Sequence, residues 1–502
     1  MEQLLLGIDI GTSSCKVAAF TLDGRVAASA TEDYPVYYPQ PGWVEQNPEE
    51  WWGGVCKAVQ SVLKQDISPS AIAAVGIDGQ SWSCIPMDQQ GNVLYNTPIW
   101  MDTRADSICQ RIKKEIGEDA IFRISGNPFQ PSYSTPKILW FRENLPEIYN
   151  KTRYFLQSNS YIAFRLTGVF SQDLCQTYGL HVANVATGEY DRELCRAMRI
   201  DLEKLPPVFP CHAIIGRITT AAAALTGLQE GTPVVAGGLD AACGTLGAGV
   251  YQDGQTQEQG GQAGGMSICE SHPYGDPALI LSNHVVPGMW LLQGGTVGGG
   301  ASLNWIAKEL GGVEEIRAKE TGKNKFALID ALAAETPAGA DGLVFLPYLF
   351  GERSPIWDPN AKGVFYGLTF DKTRGHFFRA VMEGAAFALR HNLECAERAG
   401  APVGEMFAMG GAANSALWTQ IKADITGKVI HVPASDTATT LGAAILAGVG
   451  AGAYRDFGEA VSRTIHVKKT YRPNAEYADR YNWNYALYRE IYEKLKGTMA
   501  FY

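Results

Sequence analysis

Two aspartates in this chain stand where strand-like runs end beside glycines, and both could take part in chemistry. Asp9 lies in LLLGIDIGTSS, and Asp240 lies in TPVVAGGLDAACGTLGAG. Aspartate is a poor strand residue and is costly to bury alone, so in such a place it usually has a capping, metal-binding or proton-transfer role. The structural alternatives are a strand-end turn cap for Asp9 and an N-cap of the Ala-rich segment after Asp240.

Three glycine clusters in the second half could hold a phosphate-bearing ligand. They are GGQAGG at 260–265, GGTVGGG at 294–300 and GGAA at 410–413, each directly after a strand-like run. Glycines allow tight turns and bring backbone N–H groups close to a ligand, as a phosphate cradle requires. Any one cluster could equally be a turn or a helix-packing position, but three together favour a nucleotide site.

The common nucleotide and metal motifs are missing from the sequence. We find no G-x-x-x-x-G-K-[ST], no G-x-G-x-x-G between a strand and a helix, no C-x-x-C pair among ten cysteines and no H-E-x-x-H pattern. A bound nucleotide would therefore use another phosphate-binding scheme, and the cysteines are typical of reduced thiols.

Composition limits the ligands and partners of this 502-residue chain. The net charge is −10 with 46% hydrophobic residues, which argues against nucleic-acid or anionic-membrane partners and for small ligands. No segment resembles a signal peptide or an 18-residue apolar span, so we expect a cytoplasmic protein. The length predicts two or three domains.

Strand-like and helix-like runs alternate along the chain, which predicts an α/β fold. A β-meander is expected over 4–10, 16–22 and 25–30, followed by a helix that begins at Asn47-Pro48-Glu49-Glu50 and buries Trp51 and Trp52. Further strands are predicted at 71–77, 93–100 and 233–236, and further helices at 106–116 and 137–143. The glycine-rich texture after Gly249 suggests two units, 1–245 and 246–502.

Seven segments in order resemble the FGGY family of carbohydrate kinases, which belongs to the actin-like ATPase superfamily. They are GIDIGTSSCK, PGWVEQNPEEWW with TPIWMDTR, SYSTPKILWFRENLP, GERSPIWDPNAKG, GVFYGLTFDKTRGHFFRAVME, GGAANSALWTQIKAD and TTLGAAILAG. The resemblance implies two actin-like (ribonuclease H-like) lobes, the first with the sugar site and first phosphate hairpin and the second with the nucleotide site. It places ATP and sugar together in the central cleft.

The resemblance also implies roles for individual residues. Asp240 would be the general base that takes the proton from the attacking sugar hydroxyl, and it would lie beside the Mg²⁺ that accompanies ATP. Asp9 would help hold this Mg²⁺, directly or through water. Thr12, Ser13 and Lys16, in the first hairpin, would face the phosphates.

On the nucleotide side, the resemblance implies contacts from residues in all three glycine clusters. These residues are Gly261, Gln262, Gly300, Asn304, Gly411, Asn414 and Ser415. Related kinases carry threonine where this chain has Gln262, and an amide can still donate to a phosphate oxygen. For the residues after Gly300 and Gly411, helix-start capping is the structural alternative.

The sugar acceptor is indicated by GIDGQSWSCIPMD and WMDTR. Gln80 matches both glycerol kinases and xylulokinases, whereas Ser81 and Trp82 match neither the Arg-Glu of the former nor the Met-His of many of the latter. Trp82 could stack on an apolar sugar face and donate from its indole, or it could be ordinary core. Asp102, with Arg104 beside it, could read hydroxyls or form a surface ion pair.

The sequence therefore predicts a kinase that uses ATP and Mg²⁺ to phosphorylate a ketopentose, D-xylulose being the first choice. The alternatives are another polyol, ketose or sugar acid (ribulose, gluconate or erythritol) and a degenerate sugar-sensing ATPase. Neither a nucleic acid nor a membrane is expected as a partner. The oligomeric state is left open, with a homodimer as one alternative.

Overall fold

The computed structural model describes residues 2–435 and 437–501. Its first half is built on the strands β1 Leu4–Ile10, β2 Ser14–Thr21, β3 Val26–Asp33, β4 Glu45–Gln46, β5 Ile72–Gly79, β6 Ile85–Met87, β7 Thr97–Pro98, β8 Tyr154–Leu156, β9 Gln172–Asp173, β10 Val208–Phe209, β11 Ile214–Arg217, β12 Pro233–Val235 and β13 Gly238–Leu239. Its helices are α1 Pro48–Leu63, α2 Asp106–Ile116, α3 Glu118–Ser125, α4 Ser134–Asn144, α5 Pro146–Lys151, α6 Ser158–Thr167, α7 Arg192–Met198, α8 Thr220–Thr226 and α9 Asp240–Gly247.

The second half contains nine further strands and eight further helices within the described ranges. The strands are β14 Thr256–Gly260, β15 Gly264–Glu270, β16 Ile280–Asn283, β17 Trp290–Thr296, β18 Val344–Leu346, β19 Val364–Tyr366, β20 Met406–Met409, β21 Ile430–Pro433 and β22 Val467–Tyr471. The helices are α10 Gly300–Leu310, α11 Gly312–Thr321, α12 Lys325–Ala334, α13 Arg374–Ala399, α14 Ala416–Thr426, α15 Ala438–Gly450, α16 Phe457–Thr464 and α17 Ala478–Met499.

Each half contains one large sheet, and the two sheets share a plan. The first has the order β11-β12-β5-β1-β2-β3, with β13 beside β5, and the second has the order β16-β17-β15-β14-β20-β21-β22. In the first sheet, β1, β2 and β3 form an antiparallel meander and β5 pairs in parallel with β1. In the second sheet, β14, β15 and β17 form the equivalent meander and β20 pairs in parallel with β14. This duplication agrees with the predicted two-lobed actin-like architecture.

Helix α15, from the second half of the chain, packs on the sheet of the first half and against α9. The approach is backbone to backbone: a Cβ at Gly7 would lie 2.0 Å from the Thr440 carbonyl oxygen, and one at Gly76 would lie 1.9 Å from that of Ala443. The glycines of β1 and β5 are therefore required where α15 crosses them, and the cores of the two halves are joined.

Most predicted elements of the first half are confirmed. β1 has the expected bounds, β2 and β3 complete the meander, and α2 spans 106–116. Helix α1 begins after Asn47, whose side chain accepts from Glu49 N–H, and it buries Trp51 and Trp52. The predicted strand over 93–100 was wrong in its extent: only Thr97–Pro98 forms a strand, paired with the two-residue β4, while Val93 makes a single isolated bridge with Met87, and proline cannot donate to a ladder.

The expected boundary after residue 245 lies inside α9. The last strand of the first sheet ends at Leu239, and the first strand of the second sheet begins at Thr256. Within the part of the chain that the structure describes, no helix combines the length and apolar character needed to cross a membrane.

Candidate active site

Three aspartates meet at the carboxyl end of the first sheet. Asp9 and Asp78 are the next-to-last residues of β1 and β5, and they are direct partners in the parallel register. In-register neighbours on parallel strands point to the same face. β13 pairs with β5 at Gly238 and Asp78, and Asp240 follows β13 as the first residue of α9. The fold thus brings the two predicted carboxylates together and adds Asp78.

Asp240 has the electrostatic character of a base that works near neutral pH. Burial is the main cause that raises the pKa of Asp240 to about 7, and the charge of Asp9 adds to it. A 2.6 Å hydrogen bond that Ala241 N–H donates to Oδ1 stabilises the ionised form and so lowers the pKa in part. This bond joins the carboxylate to the first turn of α9, where the N–H groups favour negative charge. A carboxyl group with a pKa near the working pH can accept a proton and release it again.

Asp78 was missed in the sequence, although it lies in GIDGQ, a stretch much like the GIDIG around Asp9. Its side chain is fully buried, and neither carboxyl oxygen has a hydrogen-bond partner among the described residues other than the facing carboxyl group of Asp9. Burial raises the pKa of Asp78 well above its ordinary value, and the charges of Asp9 and Asp240 raise it further. Burial also raises the pKa of Asp9, whereas a hydrogen bond with the Asp78 side chain and the positive charge of Lys16 lower it in part.

The first hairpin presents its turn residues beside these carboxylates. Ser13 and Lys16 are exposed, and Lys16 is the register partner of Asp9 across β1 and β2. Thr12 Oγ1 accepts a 3.0 Å hydrogen bond from the indole N–H of Trp100 and donates to Gln80 Oε1 at 3.4 Å. Trp100, 37% exposed, is therefore a second cleft residue that the sequence did not indicate.

Gln80 lies beneath the hairpin, with 1% of its surface exposed. Its amide donates to Gln46 Oε1 at 2.8 Å, and Gln46 in turn donates to the Thr12 carbonyl at 2.7 Å. These contacts make Gln80 a positioning residue for the hairpin. The expected direct contact between Gln80 and the sugar is not supported by this placement.

Ser81 and Trp82 lie in the segment that connects β5 to β6. Trp82 has a left-handed backbone (φ 58°), stacks on Tyr133 with 4.1 Å between ring centroids, and its buried indole N–H has no acceptor among the described residues. Ser81 Oγ accepts from the hydroxyl of Tyr178 at 3.0 Å. An indole with one unused donor suits a ligand that carries hydroxyl groups.

Asp102 is turned into the fold, and this placement does not support the expectation that it reads sugar hydroxyls, which stays a prediction. Both its oxygens accept from the Arg104 guanidinium, and Oδ2 also accepts from Val44 N–H at 2.7 Å. The alternative of an ion pair with Arg104 is correct as to the pairing but wrong as to its place, because both side chains are fully buried rather than at the surface. With all its lone pairs directed into the fold, Asp102 stabilises the segment before α2.

The three glycine clusters converge because their backbones touch. A Cβ at Gly300 would lie 2.5 Å from the Gly261 carbonyl oxygen, and one at Gly299 would lie 2.3 Å from the Gly264 nitrogen. A Cβ at Gly410, which has a left-handed φ of 85°, would lie 2.9 Å from the Gly260 carbonyl oxygen. Any side chain here would force the loops apart.

A cavity of about 620 Å³ opens between these loops, within the range of nucleotide and small-ligand sites. It is lined by all seven residues predicted for the nucleotide side: Gly261, Gln262, Gly300, Asn304, Gly411, Asn414 and Ser415. Gln262 Oε1 accepts from Asn304 Nδ2 at 3.3 Å, which leaves the Gln262 amide hydrogens for a phosphate. Ser415 instead caps α14 by accepting from Trp418 N–H, as its structural alternative proposed.

Two further features of the site were not predicted from the sequence. Phe326 and Asp330, one helical turn apart on α12, line the 620 Å³ cavity, and Asp330 Oδ1 has no hydrogen-bond partner among the described residues. Arg353, from GERSPIWDPNAKG, lines a second cavity of about 210 Å³ together with Ala241. A Cβ built at Gly295 would lie 3.2 Å from Arg353 Nη2, so the guanidinium lies close to the second glycine cluster. Within the described ranges, Arg353 forms no ion pair with a carboxylate.

The carboxylates suit a hard divalent cation such as Mg²⁺, because Asp78 leaves both oxygens unpartnered beside Asp9. Within 2–435 and 437–501, however, no group of three or more acidic, histidine or cysteine side chains is arranged to enclose an ion. A cation that takes one or two carboxylates and completes its shell with phosphate oxygens and water fits this arrangement.

Family models match both halves of the chain. The N-terminal domain of the FGGY family of carbohydrate kinases matches residues 4–247, and its C-terminal domain matches 269–451. The xylulose kinase of Bacillus subtilis is 31% identical, with 98% of this chain and 97% of that protein covered. A gluconokinase of Bacillus licheniformis is 30% identical, with 96% and 94% covered.

The fold leads to the same family. The crystal structure of xylulose kinase from Rhodospirillum rubrum superposes with a TM-score of 0.91 at 30% identity, covering 99% of this chain and 100% of that one. The predicted two-lobed actin-like fold and the predicted enzyme class are thereby confirmed, and this chain belongs to the FGGY family of carbohydrate kinases.

Proposed function

We propose that this carbohydrate kinase transfers the γ-phosphate of ATP to a hydroxyl of a ketopentose, D-xylulose first, with Asp240 as the general base. The observation that carries this proposal is the position of Asp240 as the first residue of α9, directly after β13 and beside the carboxyl ends of β1 and β5 that carry Asp9 and Asp78; burial and the charge of Asp9 also raise its pKa to about 7. An acceptor hydroxyl must lose its proton as it attacks phosphorus. A carboxylate of this basicity can take that proton at neutral pH.

We place ATP in the 620 Å³ cavity, with its phosphates directed toward the hairpin. Backbone N–H groups of the glycine loops, the Gln262 amide and Lys16 would donate to the phosphate oxygens. The exposed face of Phe326 would support the adenine ring. Phosphoryl transfer depends mainly on this alignment of acceptor, phosphorus and leaving oxygen.

Asp9 would hold Mg²⁺ directly or through water, with Asp240 at its margin and Asp78 orienting Asp9 from the next strand. The bound ion would neutralise charge on the phosphates. Lobe closure around the sugar would keep water from competing as acceptor.

Trp82 would stack on the sugar and donate to one of its hydroxyls. D-Xylulose is the first choice because several relatives that carry the name xylulose kinase match over their whole length. Gluconate is the second candidate, on the basis of the gluconokinase relative. A cytoplasmic location and a homodimer both stay predictions.

A coupled ADP-release assay with D-xylulose, D-ribulose, D-gluconate, erythritol and glycerol tests this proposal. We expect the highest kcat/KM with D-xylulose and almost no ADP release without sugar. A higher kcat/KM with gluconate would replace the acceptor but keep the kinase. Vigorous ADP release that ignores every sugar would overturn the kinase itself.

A further inference from the structure

A strongly basic cavity lies in the first half of the chain and takes no part in the site described above. It measures about 670 Å³ and is lined by six cationic side chains: Arg142, Arg153, Arg192, Arg196, Arg199 and Lys204. Two carboxylates, Asp201 and Glu203, line it as well, which leaves an excess of four positive charges in a chain whose net charge is −10. It shares no lining residue with the nucleotide cavity or with the cavity beside Ala241.

The charge of these cations is not compensated within the fold. Among the described residues, none of the six lies within 4.0 Å of a carboxylate oxygen, although nearby arginines such as Arg111 and Arg165 are paired with glutamates. Asp201 and Glu203 line the same cavity but form no ion pair with any of the six cations. The cations therefore stay available for another anion.

Three of the six cations are held in place by main-chain carbonyls instead. Arg142 Nη1 donates to the carbonyl of Arg199, Arg153 Nη1 donates to that of Glu203 at 3.3 Å, and Lys204 Nζ donates to that of Thr152 at 2.7 Å. A carbonyl oxygen fixes a side chain without cancelling its charge. These contacts preorganise the cavity for an anion.

The other three cations stand on α7 and its C-terminus. Arg192 and Arg196 are four residues apart on one helical face, an arrangement in which like charges destabilise a helix. Arg199 ends the helix with a left-handed backbone (φ 59°), a position that glycine or asparagine fills more readily. Helix stability alone therefore does not account for the Arg192–Arg196 pair or for the left-handed Arg199, although a cation in the last turn, as at Arg196, suits the helix dipole.

We propose that this cavity binds a small anion that carries two or more phosphate groups. The arginine guanidinium matches phosphate through paired N–H donors, and an excess of four charges suits a ligand with three or four negative charges. The volume matches small-ligand cavities rather than an extended polymer groove. This inference is independent of the sugar acceptor.

The test is isothermal titration calorimetry of the full chain with inorganic tripolyphosphate and, separately, with a pentose bisphosphate. We compare the parent protein with R192Q/R196Q, whose replaced side chains make no contacts that the fold needs. Losing two charge-assisted hydrogen bonds should raise Kd about tenfold or more, or remove one binding site from the stoichiometry. The tighter of the two probes indicates whether an inorganic or a sugar-linked phosphate is the better match.

The matched control is Arg398→Gln, an exposed arginine outside the cavity, which should leave Kd unchanged. Circular dichroism checks that each variant is folded. Binding that weakens equally in the control, or that is unaffected in R192Q/R196Q, would overturn the proposal, since the probe would then sit at the nucleotide cavity or on the general surface. Binding of a 20-nucleotide RNA without binding of either small probe would also overturn it.

Discussion

Replacement of Asp240 by asparagine should abolish most activity and at the same time stabilise the protein above neutral pH. Asparagine keeps the shape of the side chain and can still accept from Ala241 N–H, but it cannot take a proton from the acceptor. General-base catalysis typically contributes about 10²- to 10⁴-fold, so we expect kcat to fall by about that factor. Binding of an ATP analogue should be retained.

The expected gain in stability follows from the direction of the pKa change. Burial raises the pKa of Asp240 from 3.8 to about 7, so the folded protein ionises this group less readily than the unfolded chain does. The resulting cost is fully present above pH 7, fades as the pH falls from 7 toward 3.8, and is absent below that. It amounts to at most about 4 kcal/mol, and solvent at the half-buried side chain reduces it.

Two measurements and a matched control variant check these expectations. The coupled assay should show that kcat/KM of the parent rises with pH up to about 7 and then levels off, because the base must be ionised. Thermal unfolding should show Asp240→Asn melting above the parent at pH 8, with a smaller difference at pH 5. Asp66→Asn, at an exposed left-handed turn that asparagine tolerates, is the matched control and should match the parent in both assays.

Two outcomes would refute this reasoning. If Asp240→Asn kept kcat within tenfold of the parent, Asp240 would not be the base. If the variant lost activity and also melted below the parent at pH 8, the side chain would be a structural support rather than a strained catalytic carboxylate.

Three further predictions concern the ligands of the two lobes. Phe326→Ala should raise KM for ATP about tenfold, the loss of one stacked ring, and leave KM for the sugar unchanged in the steady-state assay. Gly300→Ala should weaken ATP binding in calorimetry because its Cβ would lie 2.5 Å from the Gly261 carbonyl, whereas Gly312→Ala, with nothing within 4 Å, should bind ATP normally. Trp82→Phe keeps a ring against Tyr133 but removes the indole N–H, so it should raise KM for the sugar alone; an equal rise for ATP would contradict a sugar contact.

Local sequence patterns correctly predicted those elements whose bounds depend on nearby residues, such as an apolar run or a helix cap. The bounds of β1 follow from its apolar run, and the start of α1 follows from the Asn47 cap and Pro48. The strand expected over 93–100 failed because pairing depends on a partner, and β4 offers only two residues. Strand pairing is a tertiary property that a single run of residues does not contain.

The residues of the candidate site also fall into those that the sequence indicated and those that only the fold revealed. Asp9, Asp240 and the glycine clusters were visible in the sequence, because a carboxylate at a strand end and repeated glycines are unfavourable unless a special backbone or ligand requires them. Which neighbours they have was decided by the fold. Register between β1 and β5 set Asp78 beside Asp9, and the same folding turned Asp102 inward onto Arg104.

By itself, the sequence thus determined the family through its ordered motifs, and the roles that it predicts, two carboxylates for a proton and a metal and glycine loops for phosphates, follow from that resemblance. The tertiary structure alone decided which side chains face the cleft and which are buried beneath it, as with Gln80 under the hairpin and Phe326 at the nucleotide cavity. The physical reason is that residue type limits what a side chain can do, whereas burial and partners, which set its pKa and free donors, come from elements distant in the chain.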